Sequence, residues 1–147
     1  MRDRLSSPLL KKLTEIYPHN VLDVGTGITS LPQLIRNCGY HVTAIDNIRD
    51  YWPTGMVNRH YYVINDDITN TQLVKKFDLV TCVSVLEHID KCDDAIRNMF
   101  SLLNPEGHLI LTFPYTEKVM CIIVTSCLAQ ATDRMYHILH SLIRVLI

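Results

Sequence analysis

The chain has 147 residues, of which 48% are hydrophobic and 20% charged, with a formal net charge of −1. That size and balance describe about one folded domain and exclude a disordered chain. Lys and Arg are scattered without a basic stripe, so no nucleic-acid partner is expected.

The N-terminal stretch MRDRLSSPLLKKL lacks the continuous apolar core of a signal peptide. Leu5, Leu9, Leu10, Leu13 and Ile16 instead make a helical stripe over residues 5–17, ended by Pro18. Short, apolar, β-branched runs follow at Val21–Val24, Val42–Ile45, Tyr61–Ile64, Leu79–Val83 and Leu109–Phe113. Runs of that kind suit parallel strands buried on both faces.

Between the first two runs, Ser30-Leu31-Pro32-Gln33 has the pattern of a capping box with proline in the first helical turn. Leu31, Leu34, Ile35 and Cys38 then share a helix face, and Gly39 supplies a left-handed stop. The second crossover, IRDYWPTGMVNRH, contains Pro53 and Gly55 and predicts a loop with at most a short turn. Its Tyr51 and Trp52 either line a substrate cleft or pack on the sheet edge. Between the fourth and fifth runs, Cys92, Ala95, Ile96, Met99, Leu102 and Leu103 form a second stripe. The polar flank KCDDAIRN reads as a capped, exposed helix start, and NPEG at 104–107 as a closing turn. This alternation predicts a doubly wound α/β fold with a mainly parallel sheet in the order 3-2-1-4-5, in one domain over residues 1–147.

That order leaves the fifth strand as an edge, and something must shield Leu109–Phe113. Residues 119–125 suit either a sixth strand or a helix, and Met135, Ile138, Leu139, Leu142, Ile143 and Leu146 make a helical stripe. The expectation is a mostly helical tail, packed on the sheet or mediating a homodimer. Its longest apolar run, from Val119, is too short to span a bilayer as a helix. His137 and His140 have metal-ligand spacing but no nearby carboxylate or cysteine, so a solvated face is expected and no metal. The five cysteines, Cys38, Cys82, Cys92, Cys121 and Cys127, contain no C-x-x-C pair. Four lie in apolar runs and read as small buried hydrophobes, and the odd count suits a reducing, cytoplasmic compartment.

The chemistry concentrates at the carboxyl ends of the predicted strands. The first turn, Asp23-Val24-Gly25-Thr26-Gly27-Ile28-Thr29-Ser30, is close to a dinucleotide fingerprint, with Ser30 in place of the third glycine. Asp23, however, would repel a pyrophosphate at the following helix N-terminus. A carboxylate there suits a cofactor that carries positive charge. Asp46 ends the second strand, where an acid can accept both ribose hydroxyls. Asp66 and Asp67 end the third strand, where an acid can accept from an adenine amino group while Ile68 covers the ring.

Taken in order, VLDVGTGITSLP, VTAIDN, NDDIT, FDLVTCVSVLEHI and LLNPEGHLILTFP resemble a class I S-adenosylmethionine-dependent methyltransferase over about residues 20–114. The resemblance implies a Rossmann-like fold and S-adenosyl-L-methionine as cofactor. It implies that Asp23, Gly25, Thr26 and Gly27 form the loop under the methionine part, with Asp46 and Asn47 at the ribose. Asp67 and Ile68 would frame the adenine, and Val83 and Ser84 would offer backbone groups near the methionine end. Family members usually continue after the fifth strand with a helix and an antiparallel strand pair, for which the segment after Pro114 is short. That departure leaves the substrate pocket less defined than the cofactor site.

Methyl transfer from a sulfonium needs an aligned nucleophile and a dry site more than covalent help. Where the nucleophile must lose a proton, His88, after the fourth strand, is the candidate base, with Glu87 beside it. The competing reading is that both residues only pin the loop. Proline–tyrosine at 114–115 resembles part of a motif in methyltransferases acting on nucleic-acid bases, but that motif follows the fourth strand, where this chain has CVSVLEH. The expected activity is methyl transfer to a small-molecule acceptor. A cofactor-binding pseudoenzyme without a complete substrate pocket is the alternative, and a nicotinamide dehydrogenase is a third reading.

Overall fold

The computed structural model describes residues 3–51, 61–115 and 118–125. Its strands are β1 (Asn20–Val24), β2 (His41–Asp46), β3 (Val63–Asn65), β4 (Phe77–Val83), β5 (Leu103–Tyr115) and β6 (Lys118–Thr125). They form one sheet in the order β3-β2-β1-β4-β5-β6, in which only the β5–β6 pair is antiparallel. The helices are α1 (Asp3–Ile16), α2 (Leu31–Asn37), α3 (Ile48–Tyr51) and α4 (Cys92–Ser101).

The continuous apolar runs follow from burial on both faces. Val21, Leu79 and Ile110 point to one side, where they pack with Leu9 and Leu13 of α1 and Ile35 of α2. Leu22, Val80, Cys82, Leu109 and Leu111 point to the other, against Ala95, Ile96, Met99 and Phe100 of α4. Removing a Val, Leu, Ile, Phe or Met side chain of this set from water contributes about 1.5–3 kcal/mol. Asn98 Nδ2 also donates to Ile68 O at 2.8 Å, tying α4 to the 3₁₀ turn Ile68–Asn70 that follows β3.

Several local expectations change. Ser30 precedes α2 but makes no capping hydrogen bond, so the capping box does not form, while Pro32 does occupy the first turn. Gly39 takes the left-handed conformation at φ 94°, as its place after the helix requires. Cys38 is exposed and Cys92 half-buried, and only Cys82 of these three is a core residue. Tyr61 and Tyr62 stay outside β3, which begins at Val63.

NPEG does not separate helix from strand. It is an excursion within β5, because Leu103 pairs with Phe77 and His108 pairs with Leu79. Glu106 turns the chain there at φ 63°. A Cβ on Gly107 would lie 2.9 Å from Asn104 O and 3.1 Å from Phe77 O, so the excursion closes too tightly for a side chain.

The expected edge at β5 is covered by β6, an eight-residue antiparallel strand, so a helix over 118–125 is ruled out. The reason is the pattern of burial: Ile122 and Val124 continue the core on the α4 side, while Ile123, on the other face, is 42% exposed. Alternation of that kind suits a strand of period two. Trp52, Cys127, His137, His140 and the stripe Met135–Leu146 lie outside the described residues. No helix among the described residues is long and apolar enough to cross a membrane.

Candidate functional site

A cleft of about 620 Å³ opens at the carboxyl edge of the sheet. It lies where β1 and β4 meet and the chain winds off in opposite directions, the switch point at which open α/β sheets bind ligands. Gly25, Gly27, Asp46, Asn47, Asp67, Ile68, Ser84 and His88, all expected at a site, line it together.

The glycine turn is built by its backbone. Gly25 and Gly27 take φ 66° and 55°, a region costly for any residue with a Cβ. The Gly25 and Thr26 N–H groups both donate to Ile45 O, at 3.0 and 3.2 Å. Gly27 N–H donates to Asp46 Oδ2 at 2.7 Å, a short bond to a side-chain carboxyl oxygen. The opening is further restricted by Val85, whose Cγ1 would stand 2.4 Å from a Cβ placed on Gly25.

Beyond β3 the two acids are engaged locally. Asp67 caps the 3₁₀ turn through Oδ1, which accepts from Thr69 N and Thr69 Oγ1, each at 2.8 Å. Asp66 accepts from the Thr71 hydroxyl and from Gln72 N. Both still line the cleft.

Ser84 follows β4 at φ 53°, an unusual conformation for serine, with its N–H on Thr112 O at 2.8 Å. Backbone held in such a region is common at functional sites. His88 follows on the 3₁₀ turn Leu86–His88, its side chain 72% exposed and its Nε2 4.0 Å from Glu87 Oε1. Glu87 is mostly buried, and its Oε2 has no hydrogen-bond partner.

Three expected residues do not line the cleft. Asp23 is buried at 2% exposure and accepts from the Thr81 hydroxyl at 2.6 Å. Its position on β1 points it to the α1 side, the face that Val21 also shares, so it stands behind the glycine turn. Thr26 and Val83 are likewise buried, at 2% and 7%. In the other direction, Asp90 and Lys91 line the cleft, although Lys91 belongs to the segment read as an exposed helix start. Lys91 occupies the position before α4 and caps nothing with its side chain. Val24, Ile28, Ile45, Thr69, Val85 and Ile89 complete the walls. The apolar ones are legible in sequence only as strand ends and core, because the fold, not the residue type, turns them to the opening. Among the described residues, no group of three or more His, Cys, Asp or Glu side chains is arranged to hold a metal ion.

The charge of the lining is one-sided. Among the described residues, Asp46, Asp66, Asp67 and Asp90 face a single lysine, Lys91. Such a cleft disfavours polyanions and favours a ligand with positive charge and hydroxyl or amine donors.

A family model described as "Methyltransferase domain" matches residues 1–139. The mitochondrial ubiquinone biosynthesis O-methyltransferase of Schizosaccharomyces pombe is 26% identical over 123 residues, covering 74% of this chain and 45% of that protein. The ubiquinone biosynthesis O-methyltransferase of Actinobacillus pleuropneumoniae is 28% identical over 115 residues, covering 69% and 48%. The chain spans about half the length of these curated relatives. Among solved structures, an S-adenosylmethionine-dependent methyltransferase from Clostridium acetobutylicum superposes with a TM-score of 0.58 at 20% identity, over 75% of this chain and 49% of that one. The N-methyltransferase NodS of Bradyrhizobium japonicum, in complex with S-adenosyl-L-homocysteine, gives 0.55 at 24% identity, over 76% and 60%. These structures share the fold: an α/β sheet of the same class.

Proposed function

The chain belongs to the methyltransferase domain family, and from that premise we propose that it binds S-adenosyl-L-methionine in the cleft and transfers its methyl group to a small-molecule acceptor. The observation that carries the reading is the pairing of the left-handed Gly25–Gly27 turn with Asp46 in a cleft whose described residues include four carboxylates and one lysine. A pyrophosphate would meet that lining as an anion among anions. A ligand with an ammonium and a sulfonium meets it as a cation.

The residues fit the cofactor in kind. One Asp46 oxygen holds Gly27 N–H, and the other is left for ribose hydroxyls. Asn47 stands beside it. Asp67 and Ile68 supply a polar and an apolar surface for the adenine. Gly25, Gly27 and the Ser84 backbone leave room and polar groups for the methionine part. Asp23, Thr26 and Val83 support this loop from behind, with the Asp23 charge acting on the positive end of the ligand through the turn.

When bound, the cofactor supplies an electrophilic methyl group on a positively charged sulfur. This chain's part is to orient the acceptor, keep water out and take up a proton. His88 is the candidate for the last task, because it lines the cleft and carries an imidazole, the side chain best suited to taking up a proton. The neighbouring Glu87 carboxylate would steady the imidazolium that results.

Relatives named as ubiquinone biosynthesis O-methyltransferases support an acceptor that is a small molecule, and the NodS likeness keeps nitrogen open as the acceptor atom. The odd cysteine count supports a reducing, cytoplasmic compartment. A second reading is a cofactor-binding domain without turnover. Calorimetric titration with S-adenosyl-L-homocysteine and with NAD tests the cofactor. Release of S-adenosyl-L-homocysteine across a panel of phenolic and amine acceptors then separates enzyme from pseudoenzyme. Tight NAD binding without S-adenosyl-L-homocysteine binding would overturn the proposal.

A further inference from the structure

Tyr61 stands just ahead of β3, 8% exposed, and does not line the cleft. Its hydroxyl donates to Thr29 O at 2.6 Å. A phenol has one proton, so the Thr26 hydroxyl, 3.2 Å away, is the donor in the second contact and Tyr61 oxygen the acceptor. Thr29 closes the turn between these two points, with its N–H and its hydroxyl both on Thr26 O, at 3.3 and 2.9 Å.

The glycine loop is thus gripped from two sides. On one side, Ile45 O and the Asp46 carboxylate hold the N–H groups of Gly25, Thr26 and Gly27. On the other, one phenol bridges Thr26 and Thr29. The second grip matters because two glycines make this stretch inherently free, and both must stay in the left-handed region for the Gly27 N–H to reach Asp46.

We propose that Tyr61 is a positioning residue whose hydroxyl latches the glycine loop in its ligand-ready form, so that it sets cofactor affinity without touching the cofactor. The proposal rests on the reading of the cleft as the S-adenosyl-L-methionine site. A loop ordered beforehand binds without the entropy loss of being ordered by the ligand. Breaking the latch transfers that loss to the binding step.

The test compares wild type with Tyr61→Phe, which keeps the ring and its packing and removes only the oxygen. Hydrogen exchange in the free protein is followed over the peptide 24–30, S-adenosyl-L-homocysteine is titrated, and Tm is recorded. The latch predicts faster exchange over 24–30 and a Kd raised about 3- to 10-fold, with Tm close to wild type. Thr26→Val removes one of the phenol's two partners and should give the same changes in smaller measure, with the double variant no worse than Tyr61→Phe. It also decides the matter if Tyr61→Phe does not fold. A lower Tm with exchange over 24–30 and Kd both unchanged would mean that Tyr61 is only a packing residue, and would overturn the latch. If wild type itself fails to bind S-adenosyl-L-homocysteine, the cofactor reading falls. The exchange comparison then judges the latch alone: faster exchange supports it, and unchanged exchange overturns it.

Discussion

At the amino end of β4, Asp78 Oδ2 accepts from His19 N and Asn20 N, each at 2.9 Å, and Oδ1 accepts from Asn104 Nδ2 at 2.7 Å. At the opposite edge, Asp46 Oδ2 accepts from Gly27 N, and Asp67 Oδ1 from Thr69. Both edges use an aspartate to collect backbone N–H groups, yet they differ in what is left over. Asp78 fills both of its oxygens and closes the β5 excursion against β1, a staple that is complete in itself. Asp46 and Asp67 each spend one oxygen on the chain and line a cleft. An acid at a strand end is therefore structural where neighbours satisfy it, and available to a ligand where a cavity adjoins it.

The sharpest way to break this comparison is at Gly25. A Cβ there meets Val85 at 2.4 Å and must hold φ 66°. Gly25→Val should lose S-adenosyl-L-homocysteine binding below detection and cost about 1–3 kcal/mol of stability, read by calorimetry and urea unfolding. Normal binding would show that the turn is not the cofactor cradle.

Asp46→Ala comes next. It removes the acceptor for Gly27 N–H and for the ribose, so binding should weaken by about 1.5–3 kcal/mol while the urea midpoint shifts little. Unchanged affinity in a folded variant would remove Asp46 from the ribose site.

Asp78→Ala should do the reverse, lowering stability by about 1–2 kcal/mol with Kd for S-adenosyl-L-homocysteine unchanged. A variant equally crippled in binding would mean that the two edges are not separable.

The smallest effect is the pH dependence of that staple. Burial pushes the Asp78 carboxyl up, but the hydrogen bonds from Asn20, Asn104 and His19, helped by the nearby His19, outweigh it and leave the group below its ordinary value of 3.8. A carboxyl lowered in the folded state adds stability above the unfolded value, and that stability is lost as pH falls through the folded one. The gap between wild type and Asp78→Ala should hold from neutral pH down to about 4 and narrow below it. A gap that stays constant into stronger acid would mean that the charge contributes nothing.

The sequence by itself pointed to the sheet order from β3 to β5, because short, largely apolar runs such as Val21–Val24 and Leu79–Val83 alternate with helical stripes, and right-handed crossovers wind such an alternation in that order. It also determined the acids at the strand ends and the glycine turn, since those depend on residue type and spacing along one segment. What it did not determine were the relations between distant segments. Tyr61 has the composition of a strand residue, and only the folded chain brings its hydroxyl to Thr26 and Thr29. Lys91 looks like part of an exposed helix start until the 3₁₀ turn after β4 brings it, with Asp90, to the opening. Residues 119–125 read as a strand or a helix along the sequence, and pairing with the open β5 edge, a row of N–H and C=O groups, turned Ile122 and Val124 inward and Ile123 outward as a strand does. Asp23 carries its charge in the first motif, but which face of β1 it occupies depends on register, and register put it behind the turn with Thr81. Local pattern sets what a segment can become. Pairing partners and cavities, which exist only between segments, decided what each acid and tyrosine does.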